Sequence, residues 1–388
     1  MNVAIHPSEP EKVVLGVIFV VASCVAGLGP TMVQAQSDGA VKHVNCDGGQ
    51  SLAEAVKHSK EGQMLQIRGT CRERVQIATP RLTLAGAGTA VIDGTGVELG
   101  ADPEFDGLVV IDGVTGVTLA GLTIQNSAGN GILAQRGAAF VMRELRVQNN
   151  TFTGIVVVDH SSAELTNSAT HDNRLGLDVV TSSSAVLKGT FSSSHNTNGV
   201  DINGTSIVEL RGAQVELNEN DGYGLIAASG SHLAIFGWQS AAASTVTANG
   251  NGFAGLVFGQ GTLTTYVPSV ISASNNTLGL LVNDSNIVAP FGTAKFRLEN
   301  NTVGMSVGLG TNLLIRGGLS VQGNATGVLA DGAGTLTLGS IADNPSTITG
   351  NGTDMRLLFG TRSTIEGVTI GTLSCDATVL SRGTKTCP

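Results

Sequence analysis

Apolar and polar residues alternate in short runs along this chain, and the runs return at a nearly fixed interval. Each begins at a glycine: Gly131, Gly154, Gly176, Gly199, Gly224, Gly255, Gly279, Gly304 and Gly327, in steps of 23, 22, 23, 25, 31, 24, 25 and 23 residues. Gly154-Ile155-Val156-Val157 and Gly199-Val200-Asp201-Ile202 show the form, with positions one and three apolar and position two variable. Period-two alternation marks strands. A repeat of this length marks a solenoid, in which each unit buries its apolar face only against its neighbours. Leu165-Thr166-Asn167, Leu187-Lys188-Gly189 and Leu210-Arg211-Gly212 form a second series with the same spacing. Each period therefore holds at least two strands with different facing, and three short strands would fill it. The pattern predicts an all-β parallel β-helix over residues 63–372, with roughly 13 coils and a length of about 60 Å.

Every repeat glycine has an Asn within the four residues before it. Asn tolerates left-handed backbone angles, and its amide can bond to the same amide one coil away. A ladder is expected from Asn173, Asn196, Asn276, Asn301 and Asn324, each three before its glycine. An open first coil needs a lid. Ser51-Leu52-Ala53-Glu54 has the form of a capping box, predicting a short helix that ends near Gly62, with Leu52, Ala55, Val56 and His58 on one side.

Composition adds the compartment. Charged residues are only 13% of the chain and aromatics 4%, while 41% are apolar and 53 are glycine. Such a chain can fill a long core and is not of the disordered class. Residues 1–35 have the form of a signal peptide: Lys12, an apolar run from Val13 to Val25, then Val33-Gln34-Ala35. Val21-Ala22-Ser23-Cys24 offers lipoprotein processing at Cys24 as an alternative. The expected order is a signal peptide over 1–35, a cap over 36–62, the coils, and a C-terminal disulfide cap over 373–388. Removing Glu9, Glu11 and Lys12 takes the net charge from −9 to −8, a balance that discourages nucleic-acid binding. No later stretch is long and apolar enough to span a bilayer. The remaining cysteines, Cys46, Cys71, Cys375 and Cys387, form one pair at each end. Chain order favours two local disulfides in a secreted or periplasmic protein, although three pairings are possible. A monomer is expected.

Position two after the glycine should point outward, and it reads Leu133, Val156, Asp178, Asp201, Ile226, Val257, Leu281, Ser306 and Leu329. Two adjacent coils thus place Asp178 and Asp201 about 4.8 Å apart, close enough to push one pKa up and to serve as an acid–base pair or a calcium site. Four before the glycine, Asp172 and His195 replace Asn on the same coils, which brings His195 in as a candidate acid or base. Lys188 and Arg211 fall in a column with Arg143 and Thr166 and would suit carboxylated sugars. The sequence leaves open whether this column shares a face with the aspartates. Glu98, Asp102, Glu104 and Asp106 crowd one loop, a candidate calcium loop. Trp238, in the 31-residue coil that opens near Tyr223, could stack on a sugar ring.

The run Val44-Asn45-Cys46, Leu52 to Val56 and Ile67-Arg68-Gly69-Thr70-Cys71-Arg72-Glu73-Arg74-Val75 resembles exported right-handed parallel β-helix proteins of the pectin-lyase-like superfamily. Cys375-Asp376, Ser381-Arg382-Gly383 and Cys387-Pro388 resemble their closing segment. The resemblance implies a right-handed coil over nearly the whole mature chain. It also implies a carbohydrate-active protein, with a lyase or hydrolase of acidic, uronic-acid polysaccharide as the expectation; in the β-helix lyases that act on uronic acids, Arg or Lys works with calcium. Asn196-Thr197-Asn198-Gly199-Val200-Asp201 resembles the Asn-Thr-Asp-Gly-x-Asp stretch of polygalacturonases, with Asn198 standing where that family has a catalytic aspartate. The competing expectation is a non-catalytic solenoid that binds a glycan or another surface through its outward apolar column.

Overall fold

The computed structural model describes residues 41–387 apart from 237–242, 266, 291 and 333, so the signal segment, Cys24 and Trp238 lie outside the described residues. The coil pairings are parallel, each strand bonding to its equivalent one coil away. A thirteen-stranded sheet runs from Val75–Ile77 to Leu373–Cys375 and contains the strand after each repeat glycine. The remaining strands form a larger sheet that bends into two faces at bulges such as Thr166/Ser168 and Leu187/Gly189. Three strand segments per coil therefore make a three-sided prism, as the repeat predicts.

The inside explains the alternation. Position one after the glycine forms an in-register column through Ile132, Ile155, Leu177, Val200, Leu225, Leu256, Leu280, Met305, Val328 and Met355. All ten are at most 2% exposed. Full burial of one such side chain contributes about 1.5–3 kcal/mol, and only a neighbouring coil can supply it.

The asparagine ladder is present and longer than the fixed spacing implies. Side-chain amides of Asn150, Asn173, Asn196, Asn220, Asn251, Asn276, Asn301 and Asn324 each donate to Oδ1 of the next member, and Asn324 reaches Asn351. The residue before each ladder Asn holds the left-handed angle: φ is 54° at Asn149, 56° at Asp172, 55° at His195 and 57° at Glu219. Asp172 and His195 therefore do not interrupt the ladder. They occupy the turn position before it, because these coils reach their glycine one residue sooner.

At the start, Leu52–Lys57 forms the helix, with Leu52, Ala55 and Val56 buried as predicted. It ends before Gly62, and His58 is exposed and bonds to Glu54 rather than lining the core. Ser51 Oγ accepts from the Glu54 N–H. The reciprocal half of the box comes from Glu73, whose carboxylate takes the Leu52 N–H and the Ser51 hydroxyl. Disulfides join Cys46 to Cys71 and Cys375 to Cys387, the pairing that chain order favours. Both caps also contribute rungs. Lys42–Asn45 pairs with Met64–Arg68, and Leu380–Gly383 pairs with Arg362–Glu366, so the sheets extend past both ends of 63–372.

Candidate functional site

On the outside of the thirteen-stranded sheet, position two forms one continuous column: Val110, Leu133, Val156, Asp178, Asp201, Ile226, Val257, Leu281, Ser306 and Leu329. Asp178 and Asp201 are direct register partners on adjacent coils, both half-buried. Their surroundings differ. Asn203 Nδ2 donates to Asp201 Oδ1 at 3.2 Å, while Asp178 Oδ1 is buried without a partner. Burial pushes the Asp178 carboxyl up to about 7, with the neighbouring Asp201 charge adding to the rise. Burial also raises Asp201, and the Asn203 amide opposes that rise. Of the two, Asp178 is therefore the carboxyl that keeps its proton towards neutral pH.

Asp178 lines a groove of about 420 Å³ together with Leu133, Val156, Phe152, Leu175 and Phe105 among others, and Asp201 lies on the next coil. One wall is the 99–106 loop, tied down by the Asn130 amide, which donates to the carbonyls of Glu104 and Asp106. Arg174 bridges the groove edge, bonding Glu104 at 3.0 Å and lying 5.7 Å over the Phe152 ring. The neighbouring apolar column is not open to solvent: Val110, Leu133 and Val156 are 2%, 5% and 8% exposed and pack together. Val257 is buried too, while Ile226, Leu281 and Leu329 are half-buried. This covering removes much of the exposed stripe on which a purely binding solenoid was expected.

The other candidates lie elsewhere. His195 is exposed, and its Nε2 meets Glu219 at 2.8 Å rather than either aspartate. Lys188 and Arg211 sit on the bent sheet, not on the aspartates' sheet. Lys188 bonds Glu164 at 2.7 Å and Arg211 bonds Glu209 through two contacts of 2.7 Å. Within the acidic loop, Asp106 is held by Arg74 and by the N–H groups of Gly100 and Gly107. Hydrogen bonds hold its carboxyl below the ordinary value despite the opposing effect of burial. Calcium takes about six to eight oxygen ligands. Among the described residues no third acidic or histidine ligand converges on Asp178 and Asp201. Cys46, Cys71 and Glu73 form the one cluster of potential ligands, and its sulfurs are joined as a disulfide. The pair thus fits proton transfer better than a protein-built calcium cage. No periodic signal in the sequence marks Arg174, Phe105 or Phe152, which lie between the repeat strands.

Residues 107–278 match the family model described as "Right handed beta helix region". A search of curated proteins finds no match. Among solved structures the chain is similar to pectate lyase Pel9A, at 13% identity and a TM-score of 0.41, covering 74% of this chain and 79% of that one. It is also similar to the periplasmic alginate epimerase AlgG, at 12% identity and a TM-score of 0.44, covering 88% and 82%. A third similar structure is the Azotobacter vinelandii mannuronan C-5 epimerase AlgE6 A-module, at 13% and 0.43, covering 87% and 99%. With its parallel three-faced coil and the family match over residues 107–278, the chain is an all-β, right-handed parallel β-helix.

Proposed function

We propose that this protein is a carbohydrate-active β-helix that cleaves a polysaccharide at the Asp178–Asp201 pair. The observation that carries the reading is the unequal environment of two register-paired carboxyls, of which Asp178 lines the groove. Protonated Asp178 is suited to deliver a proton to a glycosidic oxygen. Ionised Asp201 is suited to attack the anomeric carbon as nucleophile in retaining hydrolysis, with the deprotonated Asp178 then taking a proton from the water that releases the sugar, or to take a proton from a sugar carbon in elimination. A one-coil backbone separation of about 4.8 Å falls short of the gap of about 6.5–9.5 Å that inverting hydrolases keep for water. It therefore favours a retaining hydrolase or a lyase. The two disulfides suit an oxidising compartment, secreted or periplasmic. Among the described residues no helix is long and apolar enough to cross a membrane.

The test is to incubate the protein with charged and uncharged polysaccharides, with and without calcium, following reducing ends and ultraviolet absorbance together. Reducing ends alone indicate hydrolysis, and both signals together indicate a lyase. Asp178→Asn and Asp201→Asn should each lower turnover at least a hundredfold while leaving the fold intact. Unchanged turnover in both variants would overturn the assignment.

A further inference from the structure

Aromatic rings bracket the aspartates along one edge of the thirteen-stranded sheet. Phe152 and Phe253 each stand two residues before their repeat glycine, on the coils of Val156 and Val257. They are four coils apart, about 19 Å, with Asp178 and Asp201 on the coils between. Tyr223 is on the coil next to Asp201. Its ring meets Phe253 edge-on, with centroids 5.4 Å apart and planes at 89°, and Phe253 is 41% exposed. At the other end Phe105, 75% exposed, lines the groove beside Phe152. Such rings offer an apolar face to the C–H side of a pyranose.

The charges nearby set the substrate class. Each cation beside the groove has a carboxylate partner: Arg174 with Glu104, Arg74 with Asp106 and Arg136 with Asp112. On the adjoining turns His171 meets Asp172 and His195 meets Glu219. Asp159 and Asp221 add further acidic groups, and Lys188 and Arg211 are on the other sheet. A polyuronate would meet like charge along this face.

We propose that the face binds an uncharged glycan laid along the helix axis, with Phe152 and the Tyr223–Phe253 pair holding sugar rings on the two sides of the aspartates. This rests on the function proposed above and narrows it to the hydrolase, because an uncharged sugar has no carboxyl group beside the proton that elimination would remove.

The test measures binding to the Asp201→Asn protein, which should bind without turnover, by affinity electrophoresis in gels containing soluble xylan, mannan, β-glucan, polygalacturonate or alginate. At least one uncharged polymer should retard it, and the two polyuronates should not. Adding Phe253→Ala or Tyr223→Ala should weaken retardation about tenfold, while Phe253→Trp preserves it. Thermal unfolding of each variant checks the fold. Tighter binding to a polyuronate than to every uncharged polymer would overturn the inference. If wild-type protein cleaved that polyuronate and the aspartate variants did not, the acid–base reading would stand without it. Retardation unaffected by both ring truncations would overturn the ring path. No binding and no turnover on any polymer would overturn both proposals.

Discussion

Asn351 gives both its backbone N–H and its side-chain amide to one oxygen of Asp354, each at 3.0 Å. Every ladder amide upstream donates in the same direction, so the positive ends of nine aligned amides point at this buried carboxylate. Thr372 supplies donors to its other oxygen. Burial opposes ionisation, but the bonds from Asn351 and Thr372 outweigh it and hold the Asp354 carboxyl below its ordinary value. A depressed carboxyl adds stability that is present above its unfolded pKa and is lost as pH falls through the folded one. Asp354→Ala should cost about 3 kcal/mol at pH 7, because the four donors of Asn351 and Thr372 lose their acceptor. Asp354→Asn should cost less, and below pH 4 its deficit against wild type should shrink. Thermal melts from pH 3 to 8 read both effects.

Asp178 has the opposite sign. Its carboxyl is raised to about 7 by burial and by Asp201, so the folded state binds a proton that the unfolded state releases near its ordinary value of 3.8. The associated stability is fully present below the unfolded pKa, declines as pH rises towards 7, and is gone above it. Asp178→Asn should therefore raise the melting temperature at pH 8 and change it little at pH 4, even as turnover collapses. A melting temperature at pH 8 equal to or below that of wild type would count against a proton-holding Asp178.

Asn203 is placed to make the two carboxyls unequal. Its amide favours charge on Asp201, whereas Asp178 has no donor at Oδ1. With Asp178 protonated as acid and Asp201 ionised, activity should be bell-shaped in pH, with its alkaline limb near 7. Asn203→Leu removes the donor without adding charge. It should move the acid limb to higher pH, narrow the bell and lower its maximum. A profile whose limbs do not move would assign Asn203 to packing alone.

The coils were legible because their physics is periodic. The alternation at Gly154-Ile155-Val156-Val157 places Ile155 inside and Val156 outside, and the register column through Asp178 and Asp201 follows by counting. Counting failed where the turn length changed. Asn150 and Asn173 belong to one ladder although they stand four and three residues before their glycines. Periodicity also could not say which sheet a column joins, and only the structure separates Lys188 and Arg211 from the face of the aspartates. The groove wall was illegible for another reason. Glu104 and Arg174 are 70 residues apart, and only the path of the 99–106 loop brings them together.

That ion pair yields the last prediction. Arg174 and Glu104 are each about half exposed, so their bond contributes only about 0–1 kcal/mol to folding, and Glu104→Gln should melt as wild type does. Its effect on binding should be larger. In the variant the Arg174 guanidinium loses its carboxylate partner while keeping its seat over Phe152, and a carboxylated sugar could take the vacant place through paired hydrogen bonds. Glu104→Gln combined with Asp201→Asn should then bind polygalacturonate measurably where Asp201→Asn alone does not, and the gain should fade between 50 and 500 mM salt. If Asp201→Asn alone already binds polygalacturonate and Glu104→Gln adds nothing, Arg174 is available to acidic ligands in the native groove, and charge compensation by Glu104 does not set the specificity.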